Sequence, residues 1–125
     1  MPHPFKHLLS EIRFNADGLV PVIAQNEAGQ VLMMAWMNEE SLLETLRTNR
    51  MCYYSRSRQQ LWRKGETSGH VQALVRLMID CDGDTLLAVI KQTGVACHTG
   101  RLSCFFRTME GDKLVIHPEA PIDQS

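Results

Sequence analysis

The sequence predicts a β-rich α+β fold, a single domain with several strands and one clear helix. Short apolar or alternating segments of strand length recur along the chain, whereas one segment alone has clear helical periodicity. The length of 125 residues is that of one ordinary domain, and 44% hydrophobic with 22% charged residues is close to the globular average. We therefore expect one domain over 1–125, with a motif-bearing core over 18–108.

The N-terminal part contains the predicted helix. Asn38 is a good N-cap residue, and leucines recur after it at helical spacing until the pattern stops near Thr48 and Asn49. Residues 26–29 form a plausible turn between two strands. The other elements predicted here are a short helix (6–14), a buried strand (20–24) and a second strand (30–36).

The C-terminal part is predicted to be mostly β. Residues 70–82 form the clearest strand, and the Asp82-Gly83-Asp84 turn should pair it with residues 85–92. The polar, glycine-containing residues 57–69 are interpreted as a loop. The remaining expectations are an aromatic strand (51–56), two short strands (104–107 and 113–117) and a frayed tail (118–125).

The long strand has two faces, because side chains alternate along a strand. Alternation places Cys81 on an apolar face and its neighbours Asp80 and Asp82 on a mixed one. A metal bound by Cys81 is therefore not expected to share its site with these aspartates. The apolar face comprises Val71, Ala73, Val75, Leu77, Ile79 and Cys81, and the mixed face His70, Gln72, Leu74, Arg76, Met78, Asp80 and Asp82.

Three carboxylates lie within five residues in Asp80-Cys81-Asp82-Gly83-Asp84. Like charges this close repel one another, and a bound cation relieves the repulsion. Hard oxygen ligands at this density suit Mg²⁺. The same pattern is typical of a solvated acidic hairpin tip, so the residues alone leave both interpretations open.

The chain has four cysteines. Its start has none of the features of a secretory signal, so we expect a cytoplasmic protein with reduced thiols, in which clustered cysteines are first considered as metal ligands or catalytic groups. Cys97 and Cys104 enclose a glycine-containing loop with His98, and two thiolates there suit Zn²⁺, although two small buried hydrophobic residues would give the same pattern. Adding Cys81 gives three thiolates and leaves one coordination position for water. Cys52 is predicted to pack in the core.

Residues 55–70 combine arginines, a lysine, hydroxyl groups and glycines around Trp62, and we call them the basic segment. Such groups bind phosphate, yet the segment matches neither the Walker A nor the GxGxxG pattern. A solvated surface loop is an equal alternative. His70 at its end is either a general base or a structural hydrogen-bond donor.

Charge and hydropathy exclude some classes of partner. Thirteen basic and fourteen acidic residues give a net charge of −1, which provides no bulk attraction to nucleic acid or anionic lipid. No apolar run approaches the ~20 residues that span a bilayer. We expect neither a nucleic acid nor a membrane as a partner.

Five ordered blocks together resemble the phosphoribosyl-AMP cyclohydrolase family of histidine biosynthesis. The resemblance extends from about Leu19 to Arg107, with a conservative departure at Tyr53-Tyr54, where many relatives have Tyr-Trp. Some members carry a second, pyrophosphohydrolase domain, and the length here leads us to expect the single-function form. The blocks are 31–38, 54–58, 61–71, 80–84, and 96–100 with 104–106.

The resemblance implies a metal-dependent hydrolase that opens the adenine ring of 1-(5-phosphoribosyl)-AMP between N1 and C6, giving an imidazole carboxamide. It implies Mg²⁺ at Asp80, Asp82 and Asp84. It also implies an intertwined homodimer with one zinc per subunit, held by Cys97, Cys104 and a Cys81 contributed across the interface.

The mechanism expected for such a hydrolase gives roles to the remaining candidates. We expect His98 or His70 to act as the general base. Trp62 is expected near a ring of the substrate. The predicted phosphate contacts are Arg56, Arg58, Lys64, Thr67, Ser68 and Arg101.

Two other functions compete. One is a non-catalytic, zinc-stabilised β module that binds RNA or single-stranded DNA through residues 55–64, which the net charge and the acidic cluster disfavour. The other is a zinc nucleobase deaminase, which fails because the chain has no PCxxC motif.

Overall fold

The computed structural model describes residues 5–116, which form eight strands and two helices. The predicted tail (118–125) and the last residue of the predicted 113–117 strand lie outside the described residues. In chain order the elements are α1 (Lys6–Leu9), β1 (Val20–Gln25), β2 (Val31–Met37), α2 (Glu39–Thr48), β3 (Cys52–Ser55), β4 (Gln60–Arg63), β5 (Gln72–Ile79), β6 (Leu86–Gln92), β7 (Arg107–Glu110) and β8 (Lys113–Ile116).

Six strands form one mixed sheet in the order β4-β3-β2-β1-β6-β5. Neighbouring strands are antiparallel except β1 and β6, which run parallel. Strands β7 and β8 form a separate two-stranded hairpin. With one helix of substantial length against these strands, the predicted β-rich α+β class is confirmed.

Helix α2 begins where the sequence predicts. The Asn38 side chain accepts a hydrogen bond from the Ser41 backbone N–H at 2.8 Å, and the Ser41 hydroxyl accepts one from the Asn38 N–H at 2.9 Å. This reciprocal capping box satisfies two backbone donors at the helix start. The helix ends at Thr48, and its C-cap residue Asn49 has a left-handed backbone.

The core lies between α2 and the central strands of the sheet. Strands β1 and β6 contribute small and branched residues, and β2 and β3 contribute larger ones. The buried residues of this cluster are Val20, Val22, Ala24, Leu32, Met33, Met37, Leu42, Met51, Tyr53, Leu86, Ala88, Ile90 and Ala96. Cys52 is also buried, which confirms its predicted place in the core.

The sheet curls so that β5 contacts the chain just before β3. The Met51 N–H donates to the Gln72 carbonyl at 3.0 Å, and the Leu74 N–H donates to the Asn49 carbonyl at 2.8 Å. This pairing places the start of β5, which follows the basic segment, beside the residues that precede β3.

The prediction of a loop over 57–69 is wrong in part, because β4 lies within it and pairs with β3. Strand β4 is a short, mostly exposed edge strand whose two apolar residues are adjacent, so it lacks the apolar alternation by which strands are recognised. The basic segment is therefore a hairpin arm followed by turns.

Two other predicted elements differ in extent. The helix predicted over 6–14 stops at Leu9. The strand predicted over 104–107 is absent, and β7 begins only at Arg107. The reason is local: the Cys104 N–H donates to the Leu32 carbonyl at 2.7 Å, which ties this stretch to β2 as an irregular segment.

The predicted faces of the long strand are wrong on the N-terminal side of a β-bulge. The register against β6 shifts between Leu74 and Arg76, so Val75 is the extra residue. A bulge reverses which face the following side chains occupy. Gln72 is consequently buried and Ala73 exposed, the opposite of uninterrupted alternation, while Leu77 points inward as predicted.

Candidate functional site

A pocket of about 870 Å³ lies between the basic segment and the residues that follow β6. We call residues 95–104 the cysteine loop. The pocket is lined by Ser55, Ser57, Arg58, Gln60, Leu61, Trp62, Arg63, Lys64, Gly65, Glu66, Thr67, Ser68, His70, Val95, Ala96, Cys97, His98 and Gly100.

Two motifs that are distant in the sequence thus face one cavity. Both candidate bases, His70 and His98, are on its wall together with Cys97. Five of the seven residues predicted to bind substrate also line it, namely Arg58, Trp62, Lys64, Thr67 and Ser68.

The other two predicted substrate contacts are not among the pocket-lining residues. The Arg56 guanidinium lies over the Trp36 ring, 4.7 Å from its centroid. The Arg101 guanidinium lies over the Phe106 ring, also at 4.7 Å. Each forms a cation–π contact with an aromatic side chain outside the pocket lining.

The cysteine loop is a tight turn anchored on β2. Within it the Cys97 N–H donates to the Arg101 carbonyl at 3.1 Å, and the Gly100 N–H donates back to the Cys97 carbonyl at 3.1 Å. The Ser103 hydroxyl donates to the Val31 carbonyl at 2.8 Å. These bonds bring Cys97 and Cys104 together although six residues separate them.

The two cysteines of this loop have different acidities. Burial raises the pKa of Cys97, but hydrogen bonds from Thr99, whose hydroxyl lies 3.0 Å from the sulfur, outweigh it, and the net shift is downward. Partial burial and the neighbouring Cys97 raise the pKa of Cys104 to about 11. The surroundings of Cys97 therefore favour its thiolate form, which is the form that binds metal.

Lys64 connects the basic segment to the cysteine loop. Its ammonium donates a hydrogen bond to the Ala96 carbonyl at 2.6 Å and lies 4.9 Å from the centroid of the Trp62 ring. Burial lowers the pKa of Lys64, whereas the charges of Cys104 and Cys97 oppose that shift. A half-buried cation therefore stands beside the thiol pair. A nearby positive charge favours ionised thiols, and Zn²⁺ binds thiolate. These two adjacent cysteines therefore fit Zn²⁺.

The acidic turn, residues 80–84, lies at the far end of β5 and is not part of the pocket lining. Carboxylate oxygens of Asp80, Asp82 and Asp84 all lie within 4.8 Å of one another. The Asp80 carboxylate accepts hydrogen bonds from the Asp84 N–H at 3.0 Å and the Thr85 N–H at 3.3 Å. Gly83 has a φ of +79°, and a Cβ there would lie 2.5 Å from the Glu11 carbonyl oxygen.

The carboxylates of the acidic turn shift one another's pKa. Hydrogen bonding to Asp82 and Asp80 raises the pKa of Asp84. Desolvation raises the pKa of Asp80, but hydrogen bonds from Asp84 and Thr85 give a net lowering. Repulsion among converging carboxylates is relieved by a bound divalent cation. The donor set is all oxygen, which fits Mg²⁺.

Cys81 is exposed and lies two residues after the end of β5. Within residues 5–116, the three aspartates are the one close group of three or more candidate metal-ligating side chains, and it does not include Cys81. The predicted separation of Cys81 from the aspartates is therefore consistent with the structure. Cys81 also does not join Cys97 and Cys104 in such a group within one chain.

A buried hydrogen-bonded network behind the pocket is missing from the sequence prediction. The Tyr53 hydroxyl donates to the Gln72 side-chain carbonyl at 2.6 Å, and the Gln72 amide donates to the Gln92 carbonyl at 2.7 Å. Tyr53 and Gln72 are fully buried. Nothing in the sequence signals this network, because a glutamine beside a histidine in a strand is normally expected on a polar face.

Comparison with known proteins gives a consistent result. A family model described as phosphoribosyl-AMP cyclohydrolase matches residues 33–106. The phosphoribosyl-AMP cyclohydrolase of Alkalilimnicola ehrlichii is 61% identical over 117 residues, 93% of this chain and 82% of that protein. The one from Acidiphilium cryptum is 58% identical over 115 residues, 91% of this chain and 97% of that protein.

A third relative, the phosphoribosyl-AMP cyclohydrolase of Granulibacter bethesdensis, is 60% identical over 112 residues, 89% of this chain and 88% of that protein. Among the described residues, no helix is long and apolar enough to cross a membrane. The matched region contains the basic segment, the acidic turn and the cysteine loop, so all the pocket-lining residues lie within it. The chain belongs to the phosphoribosyl-AMP cyclohydrolase family.

Proposed function

We propose that this chain is a phosphoribosyl-AMP cyclohydrolase, which hydrolyses the N1–C6 bond of the adenine ring of 1-(5-phosphoribosyl)-AMP in cytoplasmic histidine biosynthesis. One observation supports this above all: the family's basic segment and its Cys97-His98 pair line the same pocket. If the basic segment were only a solvated surface loop, it would not be expected to share a pocket with a thiol and two imidazoles.

The pocket suits a substrate with two phosphate groups and a purine. Arg58 and Lys64 provide positive charge, and the hydroxyls of Thr67 and Ser68 provide short donors. Trp62, 39% exposed at the pocket, packs against Tyr53 with ring centroids 5.5 Å apart. A ring fixed in this way offers a flat apolar surface on which a base can stack.

Hydrolysis requires water to add to C6, which the ribosyl substituent at N1 makes electron-poor. The C6–N1 bond then breaks, N1 takes up a proton, and C6 keeps its amino group as a carboxamide. His98 and His70 both stand on the pocket wall, where an imidazole can accept the proton of the attacking water and return one to N1.

Zinc would be held by Cys97 and Cys104, with Cys81 of a second subunit as the third thiolate. The chemistry that zinc supplies in such sites is to lower the pKa of water towards neutrality. The contribution of the chain itself is a lowered pKa at Cys97 and a lysine ammonium beside both sulfurs, each of which favours thiolate.

Magnesium would be held by Asp80, Asp82 and Asp84. Their carboxylates already converge, and hydrogen bonding to Asp82 and Asp80 raises the pKa of Asp84, which shows how closely these oxygens approach one another. Mg²⁺ in such a site usually keeps several waters and can bind a phosphate of the substrate.

We further propose a homodimer, because the surfaces next to the proposed zinc ligands expose apolar side chains. Strand β5, which leads to Cys81, exposes Val75, Met78 and Ile79. The β7–β8 hairpin, which follows Cys104, exposes Met109 by 82% and Leu114 by 61%. An isolated two-stranded hairpin has little stability of its own, so a covering surface is expected. A second copy would cover these faces and bring its Cys81 to the thiol pair.

The decisive experiment is a spectrophotometric assay of ring opening. Purified protein is incubated with 1-(5-phosphoribosyl)-AMP, with and without a chelator, and with Zn²⁺ or Mg²⁺ restored. We expect turnover that is lost on chelation and recovered with metal. Absence of turnover by the metal-loaded protein, together with steeply salt-dependent oligonucleotide binding, would instead support the nucleic-acid-binding module.

A further inference from the structure

The orientation of His70 depends on a close contact with the backbone of Gly94. An added Cβ at Gly94 would lie 2.6 Å from Cδ2 of the His70 ring, 2.9 Å from Cγ and 3.0 Å from Nε2. The imidazole therefore packs directly on the bare Cα of this residue. Any side chain at position 94 would displace the ring from its place on the pocket wall.

The backbone on both sides of this contact is held by the buried network. The Gln92 amide donates to the Thr93 carbonyl at 2.9 Å and to the His70 carbonyl at 3.4 Å. The Thr93 N–H donates to the Val71 carbonyl at 3.0 Å. One side chain, Gln92, thus links the segment that carries His70, just before β5, to the bend that carries Gly94.

Gln92 is in turn held from the core. Its side-chain carbonyl accepts from the Gln72 amide at 2.7 Å, and the Gln72 carbonyl accepts from the Tyr53 hydroxyl at 2.6 Å. Within residues 5–116, every buried side-chain nitrogen and oxygen has a hydrogen-bond partner. A fully satisfied buried network allows one arrangement and penalises others, so it fixes geometry. This series of hydrogen bonds begins at Tyr53 in the core and ends at the backbone that surrounds the His70 ring.

We propose that Gly94, Gln92 and Gln72 are positioning residues that hold the His70 imidazole in its orientation towards the pocket. The expected kinetic consequence rests on the proposed function, because it concerns turnover of phosphoribosyl-AMP. The geometric consequence does not, because the ring can be observed directly.

The test compares Gly94→Ala with Gly29→Ala. Both glycines have positive φ, +70° and +86°, so both substitutions strain the backbone, but a Cβ at Gly29 meets nothing within 4 Å. We expect Gly94→Ala to lower kcat about tenfold or more with KM changed less than about twofold, since small misplacements of a reacting group are costly. Gly29→Ala should retain the wild-type kcat.

The ring itself is monitored by NMR. Gly94→Ala should shift the Cε1–H resonance of His70 while leaving that of His98 in place, and Gly29→Ala should shift neither. A His70→Ala background provides the second control: there Gly94→Ala should cause no further loss of kcat, because the group it displaces is gone.

Three results would overturn the proposal: an unchanged His70 resonance in Gly94→Ala, an equal loss of kcat in Gly29→Ala, or the full loss recurring in the His70→Ala background. If Gly94→Ala does not fold, Gln92→Met keeps the glycine and removes the bonds to residues 70 and 93, and the same His70 shift is expected. If the wild-type protein does not turn over phosphoribosyl-AMP, the proposed function fails, and the NMR comparison still decides whether His70 is positioned.

Discussion

The four cysteines show how environment separates residues that are chemically equal in the sequence. Cys52 lies in the core, where burial and then the neighbouring Glu44 raise the pKa of its thiol to about 12. Cys97 lies at the pocket wall with a lowered pKa, and Cys81 is exposed at the end of a sheet edge. Cys52, buried in the core beside a carboxylate, is therefore expected to be inert, whereas the lowered pKa of Cys97 favours the thiolate that binds metal.

This contrast gives the first prediction. Cys97→Ala and Cys104→Ala should each abolish zinc retention and lower turnover at least about 100-fold, since a zinc site depends on all its ligands. Cys52→Ala should retain zinc and activity, and should lower the free energy of unfolding by about 1 kcal/mol or more, because it leaves a small cavity. Zinc is measured by atomic absorption after dialysis. A zinc-free Cys97→Ala protein with full activity would contradict the proposed site.

The acidic turn gives the second prediction. Asp82→Asn removes one of three converging carboxylates, so the Mg²⁺ concentration for half-maximal rate should rise about tenfold or more. Asp17→Asn, at an exposed turn, is the control and should leave the requirement unchanged. The measurement is a Mg²⁺ titration of the initial rate at saturating zinc. An unaltered requirement in Asp82→Asn would remove this residue from the ligand set.

At the scale of residues, the basic segment could be predicted from the sequence, whereas the buried hydrogen-bonded network of Tyr53, Gln72 and Gln92 could not. Arg58, Trp62 and Lys64 lie close together in the sequence, so their common surface follows from local geometry. Gln72 is different, because its burial results from a bulge several residues away and from partners on two other strands. Such long-range pairing leaves no local pattern to recognise.

At the scale of elements, the wall of the pocket is held by an ion pair between α2 and β4. The Arg63 guanidinium donates to both oxygens of the Glu44 carboxylate, at 2.8 and 2.9 Å. This bidentate bond adds to the backbone pairing with β3 and to the Trp62–Tyr53 ring contact in holding an edge strand that the sequence does not reveal. Strands β1, β2 and β6 were predictable because they are apolar and central, whereas part of what holds β4 is a charge pair with a helix distant in the sequence.

The pH dependence of stability follows from this pair. The hydrogen bond from Arg63 lowers the pKa of Glu44 below its ordinary value. A carboxylate with a lowered folded-state pKa stabilises the fold above its unfolded-state pKa, and this stabilisation is lost as pH falls through the folded-state value. Glu44→Gln should therefore lower Tm at neutral pH, and the difference from wild type should shrink in acid. Thermal melts across pH 3–7 measure it, with the exposed Glu27→Gln as control. A Tm difference that is constant over this range would show that the ion pair is not its cause.

At the scale of the whole molecule, the single chain has surfaces that its own fold does not cover. All eight residues of the β7–β8 hairpin are exposed, and Ile116 at its end is 53% accessible. Strand β5 is the sheet edge and exposes three large apolar side chains. Exposed apolar edges of this kind favour association. The sequence alone predicts no such surface, because an apolar strand shows the same alternation whether its partner is its own chain or another.

Mixed subunits test whether the zinc site is shared. A dimer of one Cys81→Ala subunit and one Cys97→Ala subunit keeps all three thiolates at one of its two sites, so purified heterodimers should have about half of the wild-type activity. Each homodimeric variant should be inactive. The control is a heterodimer of Cys97→Ala and Cys104→Ala subunits, in which both changes lie in the same loop and neither site regains its ligands. Differently tagged subunits, purified in tandem, ensure that only heterodimers are assayed. Activity in the first mixture and not in the second requires Cys81 to act across the interface, whereas inactivity in both would place the site within one chain.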